Sequence, residues 1–321
     1  MAFDSGFTAR IAAKTRNLLH SVVLVGGIGA VMAVCAWLLW GQSGIIWVFV
    51  LIGLLLLLSP RIAPEIIVRM YGARLVRPQD GAPVLRILAE LAGRANLPQP
   101  PFLYVIPSPI INAFATGVKG DAILAVTQGL LNRLDSRELI GVLAHEIAHI
   151  KHNDLWIMGL ADTMSRFTHL MSLTGIFLFL FSLPMAFVGG APLMPWLGIL
   201  LLYFAPTVSA LLQLGLSRAR EYDADLEGAR LTGDPEGLAS ALHKIETYQG
   251  RMWETIFMPG RHVPVPSLLR THPPTEERIR RLLELRGRPG RPLEVPGLES
   301  VPAHFAPMRL RPRYHMTGLW Y

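Results

Sequence analysis

The sequence predicts an α-rich membrane protein, with four transmembrane helices in two hairpins and a cytosolic α+β domain carrying a small β-sheet. Three observations predict it. Uncharged apolar stretches come in two pairs, basic residues flank those pairs on one side only, and short β-prone runs bounded by Pro and Gly lie between the pairs.

The apolar stretches are Ser21–Trp40, Gly44–Leu58, Leu170–Val188 and Trp196–Leu216. A helix needs roughly 20 apolar residues to cross the hydrocarbon core. Three of the stretches have that length, and the second reaches it only if it begins within Gly41–Ser43. Composition agrees: 51% of residues are apolar and 17% charged, against roughly 25% charged in soluble domains. Helices of a soluble core carry a polar stripe, which these stretches lack. A cleaved signal peptide is excluded, because the first stretch is too long and a second follows after three residues.

Arg10, Lys14 and Arg16 precede the first pair, Arg61, Arg69, Arg74 and Arg77 follow it, and Arg218 and Arg220 follow the second. The connections Gly41–Ser43 and Gly189–Pro195 carry no charge. The positive-inside rule then places both termini and the long middle segment in the cytoplasm, as in a multi-pass inner-membrane protein. It also explains the net charge of +7 without a nucleic-acid partner, since no basic helix or aromatic stacking pattern is present. The single cysteine, Cys35, excludes an intramolecular disulfide and a cysteine-rich metal site. The expected organisation is a basic segment and hairpin over 1–60, a cytosolic part over 61–169, a second hairpin over 170–216, a second cytosolic part over 217–286, and an extended or disordered Pro/Arg-rich tail over 287–321.

Within the first cytosolic part, Phe102–Ile106, Ile111–Thr116 and Ala122–Val126 read as strands, the last two joined as a hairpin through Gly117–Asp121. A helix begins near Asp135, which with Glu138 has capping-box spacing. That helix carries His145-Glu146-Ile147-Ala148-His149. Residues i and i+4 share a helix face, so both imidazoles can reach one tetrahedral zinc while Glu146 handles a water molecule. A catalytic zinc takes a third protein ligand and keeps one position open. His152 lies two turns past His145, too far along the helix to share the ion, and position 155 is leucine. Another helix, about Ser217–Leu231, carries Glu221 and Asp225 on one face and stops at Gly233-Asp234-Pro235. Spacing alone leaves Glu221 open between a zinc ligand and a member of a solvated, ion-paired helix. Asp225 has the spacing to accept the second ring N–H of a ligand histidine. Further helices are expected at 235–250 and 273–286.

HEIAH, an apolar hairpin, then Ser217-Arg218-Ala219-Arg220-Glu221-Tyr222-Asp223-Ala224-Asp225 resembles the HtpX-type integral-membrane zinc metallopeptidases, relatives of the CAAX-prenyl endopeptidases. Two early spans and the Asn112–Gly117 strand agree in order, so the resemblance covers about residues 1–285. It implies a zincin-like peptidase domain with one zinc per chain, Glu221 as third ligand beside His145 and His149, Glu146 as general base, and Asp225 next to a ligand histidine. It also implies that the Asn112–Thr116 strand, with Asn112, Ala113 and Phe114, receives an extended substrate, and that Thr271–Arg278 matches an HP-x-x-x-x-R element near the site; by its own chemistry, His272 can stabilise the oxyanion. The substrates implied are cytosolic segments of damaged or misfolded membrane proteins, in quality control under stress. Cleavage of prenylated proteins, or an inactive metal-binding scaffold in the bilayer, are the alternatives.

Overall fold

The structure is a computed structural model and describes residues 3–58, 68–187, 196–257, 274–286 and 293. His272, the 188–195 connection and the 294–321 tail lie outside the described residues. The elements in order are α1 (Phe3–Trp40), α2 (Gln42–Leu58), β1 (Arg74–Leu75), α3 (Pro78–Arg94), β2 (Phe102–Ile106), β3 (Ala113–Val118) and β4 (Asp121–Thr127). They continue with α4 (Gln128–Arg133), α5 (Ser136–His152), α6 (Asp154–Phe187), α7 (Trp196–Thr232), α8 (Pro235–Phe257) and α9 (Thr275–Leu283). The chain divides into two compact units, one of Met1–Ile62 and His152–Glu221, the other of Ala63–Lys151 and Tyr222–Tyr321.

The first unit is built from α1, α2, α6 and most of α7. Leu24, Ile28, Met32 and Cys35 recur at helical spacing and are buried with Val48, Leu160, Met164 and Leu202. The opposite faces are apolar as well, yet exposed: Trp47 is 70% and Phe181 66% accessible, and Val22, Trp37, Phe49, Phe177 and Leu201 are exposed with them. Apolar residues both inside and outside fit a lipid solvent and would be a severe liability in water. Among the described residues three helical stretches are long and apolar enough to cross a bilayer: Leu19–Trp40, Asp154–Pro184 and Leu197–Thr232. The second expected span corresponds to α2, whose 17 residues give about 26 Å against a core of about 30 Å. The chain reverses between α1 and α2 at Gly41, whose φ of +65° suits glycine at a helix end, with its N–H donating to Trp37 O at 2.8 Å.

The second unit holds a four-stranded sheet in the order β1-β2-β4-β3. β4 is central, parallel to β2 and antiparallel to β3, and its residues from Ala122 to Thr127 are all buried. Val118 pairs with Asp121, and Lys119-Gly120 makes the expected hairpin turn, with Gly120 at φ +90°. β2 coincides with the expected FLYVI run. β3 starts two residues later than its apolar run suggests: Asn112 O still accepts from Thr127 N at 3.0 Å, but the Asn112 N–H turns to the Thr127 hydroxyl. The Thr127 hydroxyl accepts from Asn112 N at 3.0 Å and donates to Asn112 O at 2.9 Å. One face of the sheet contributes Leu103, Val105, Leu124 and Val126 to the main core with α3 and α5.

α5 begins with the expected capping box. Asp135 Oδ1 accepts from Glu138 N, and Glu138 Oε2 accepts from Asp135 N, both at 2.9 Å. Glu138 also accepts from Ser240 at 2.6 Å and Lys244 at 2.7 Å, which ties α8 to the start of α5. Asn153, at φ +59°, separates α5 from α6. So the helix containing the third apolar stretch starts at Asp154, well before the expected span at Leu170. The expected separate helix over 217–231 is the continuation of α7, since nothing between Leu216 and Glu221 breaks a helix. α7 stops where expected, at Gly233 with φ +71°.

Candidate metal centre

α5 runs with Leu143, Ala144, Ile147 and Ala148 packed fully into the core. That fixes which way its other face turns. His145 and His149 lie on that face, their rings edge-on with centroids 4.7 Å apart. Their Nε2 atoms are 3.2 Å from each other. Two nitrogens bound tetrahedrally at 2.0–2.1 Å from one zinc stand about 3.3 Å apart, so the pair has the bite of a shared ion.

The carboxylate of Glu221 completes the group: one ligand atom from each of His145, His149 and Glu221 lies within 4.8 Å of the others. His145 and Glu221 are buried and His149 is half-buried. Two nitrogens and one carboxylate oxygen form a donor set suited to zinc, with a fourth position for water. Glu146 is half-buried on the same helix, next to His145. His152, one turn further on and half-buried, is not part of the group.

Asp225, one turn past Glu221 on α7, brings its Oδ1 to 3.0 Å from His145 Nδ1. A carboxylate there favours the proton on Nδ1, the tautomer in which Nε2 can act as a metal ligand. Asp225 is itself clamped by Arg278 of α9, with Nε donating to Oδ2 and Nη2 to Oδ1, each at 2.7 Å. Both partners are almost wholly buried. The close approach of α7 depends on Gly228: a Cβ there would stand 3.2 Å from His145 N and 3.3 Å from its Cα. Lys151 donates to Glu227 at 2.6 Å and holds the far end of the same contact.

Arg278 is the main residue that sequence reasoning leaves without a role. The HP-x-x-x-x-R spacing contains it, but its partner is 53 positions away. Arg281, whose guanidinium lies 3.9 Å above the Tyr222 ring, is a second such contact. Of the expected substrate residues, Asn112 precedes β3, and Ala113 and Phe114 open it. Among the described residues β3 is an edge strand with one side of its ladder unpaired. Ala113 packs on the main core, whereas Phe114 turns to the other face, 5.8 Å from the Tyr71 ring.

Comparison with known proteins agrees with this arrangement. Residues 78–286 match the model of peptidase family M48. The "Protease HtpX homolog" of Desulforapulum autotrophicum is 36% identical over 285 residues, covering 83% of this chain and 89% of that protein. That of Ralstonia pickettii is 35% identical over 286 residues, covering 84% and 96%. The crystal structure of S. mikatae Ste24p superposes with a TM-score of 0.51 at 19% identity, over 84% of this chain and 66% of that one, a likeness of fold. From the family match and from relatives aligned over most of their length, the chain belongs to peptidase family M48 and is a metal-dependent protease.

Proposed function

We propose that the chain is a zinc-dependent endopeptidase anchored in the plasma (inner) membrane, cutting cytosolic segments of misfolded or damaged membrane proteins. The observation that carries this reading is that one ligand atom each of His145, His149 and Glu221 lies within 4.8 Å of the others, with the two Nε2 atoms 3.2 Å apart. Zinc held by these three residues supplies Lewis acidity, which acidifies water and polarises the scissile carbonyl. Glu146 accepts the proton from the attacking water and delivers it to the leaving amine. Asp225 keeps the His145 proton on Nδ1 throughout. His272 donates to the oxyanion as it forms.

The substrate adds to the sheet as a further strand along β3, through backbone hydrogen bonds that tolerate many sequences. The main chain of Asn112 is engaged with Thr127, so its side-chain amide is the group that holds the peptide backbone, with Ala113 and Phe114 beside it. The flanking arginines put the termini and the active site on the cytoplasmic side.

The purified chain in detergent, loaded with zinc, is expected to degrade casein, to stop on chelation and to resume when zinc is restored. Glu146→Gln should retain zinc and lose hydrolysis. Retained hydrolysis in a zinc-loaded Glu146→Gln chain contradicts the proposal. Cleavage confined to a prenylated peptide would replace the substrate class while leaving the chemistry in place.

A further inference from the structure

The first unit contains a buried ion pair that the chemistry above does not use. Arg220 and Asp154 are each only 3% exposed, within a unit whose core is mostly apolar. Arg220 Nη1 donates to Asp154 Oδ1. Its Nη2 donates to the hydroxyl of Ser21 at 2.6 Å. The cluster therefore joins α1 through Ser21, α6 through its first residue Asp154, and α7 through Arg220.

A buried ion pair is a poor device for stability alone, because desolvation of the two charges offsets most of their attraction. Ionisable groups kept inside an apolar, lipid-facing unit are by default functional. Asp154 would serve the start of α6 without an arginine, since a carboxylate already suits a helix N-terminus. What the pair adds is a fixed rotation of α7. Arg220 immediately precedes Glu221, and successive helical residues point about 100° apart. Holding the Arg220 guanidinium on one side therefore sets the direction in which Glu221 leaves the helix. Side-chain atoms lie about 5–6 Å from the helix axis, so a rotation of about 10° carries a carboxylate by about 1 Å. Metal–ligand distances tolerate about 0.2 Å.

We infer that Arg220, locked by Asp154 and Ser21, is a positioning residue that sets the rotation of α7 and so presents the Glu221 carboxylate to the metal. The inference rests on the reading of Glu221 as a ligand. The lock acts through α7 alone and requires no contact with substrate.

The test measures zinc affinity by chelator competition in the full-length, detergent-solubilised chain, with thermal unfolding followed in parallel. Arg220→Met or Asp154→Asn strands one charge and is expected to lower the unfolding temperature. The decisive variant is therefore Asp154→Leu/Arg220→Met, which removes both charges and keeps apolar bulk. It is expected to unfold near the wild-type temperature while binding zinc about 10–100-fold more weakly, the loss typical when a ligand's orienting partner is removed. Unchanged zinc affinity in the double variant overturns the inference. Failure of the double variant to fold also overturns it, by assigning the pair to stability. Glu221→Ala is the control. If it too leaves zinc affinity unchanged, the ligand assignment has failed; if it weakens zinc and the double variant does not, only the role of Arg220 has failed.

Discussion

Replacing Asp225 by Asn separates two functions of one carboxylate. Asp225 is 6% exposed at the side chain and faces both Arg278, 7% exposed, and His145 Nδ1. The substitution removes the Asp225 charge that faces the buried Arg278 guanidinium. Breaking a buried pair from one side costs about 3–5 kcal/mol. A retained amide-oxygen contact puts Asn near the lower end, a substantial share of a stability of about 5–15 kcal/mol. The second effect falls on the metal. Without a carboxylate at Nδ1 the tautomer preference of His145 weakens, and zinc affinity should fall about 10–100-fold, or about 1.4–2.8 kcal/mol. Arg278→Gln separates the two, since it costs stability but leaves the carboxylate beside His145. Chelator competition gives the affinities and circular dichroism on heating gives the unfolding temperatures. A folded Asp225→Asn chain with wild-type zinc affinity would refute the orienting role. An unfolding temperature equal to wild type would refute the buried-pair cost.

Other expectations follow from the same contacts. Burial pushes the Glu138 carboxyl up, but hydrogen bonds from Lys244, Ser240 and the Asp135 amide outweigh it and hold its pKa below the ordinary value. The carboxylate therefore adds stability above the unfolded-state pKa of about 4.3, and that contribution is lost as pH falls through the lower folded value. Glu138→Gln should cost about 1–3 kcal/mol near neutrality and flatten the acid limb of unfolding temperature against pH; an unaltered limb counts against it. A Cβ at Gly141 would meet the Leu238 backbone at 2.9 Å, so Gly141→Ala should destabilise by about 1–3 kcal/mol, seen as a lowered urea midpoint. A cysteine at position 42 should react with an impermeant reagent added outside intact cells, and protection from it would reverse the proposed topology.

Much of the centre is legible because its chemistry is local. Two histidines four apart share a helix face wherever a helix forms, and Asp135 with Glu138 announces where this one starts. Gly233 marks the end of α7 for an equally local reason. The remainder depends on contacts that no periodicity carries. Arg278 reaches Asp225 across 53 residues and Arg220 reaches Asp154 across 66. The HP-x-x-x-x-R spacing marks Arg278 but names no partner for it, and Arg220 reads in sequence as an ordinary basic residue that serves the topology argument as a flanking charge, whereas in the fold it is buried. The break between α5 and α6 is hidden because Asn153 is a mild helix breaker that adopts a left-handed conformation here. The late start of β3 is hidden because the Asn112 N–H turns to a threonine hydroxyl 15 positions away.

The central claim is that His145, His149 and Glu221 together hold one zinc ion. Elemental analysis of the purified Glu221→Ala chain beside the wild type, after identical dialysis against a weak chelator, tests it most directly. The account predicts about one zinc per chain in the wild type and little or none in Glu221→Ala, with both chains equally folded. Equal zinc content in the two would contradict it.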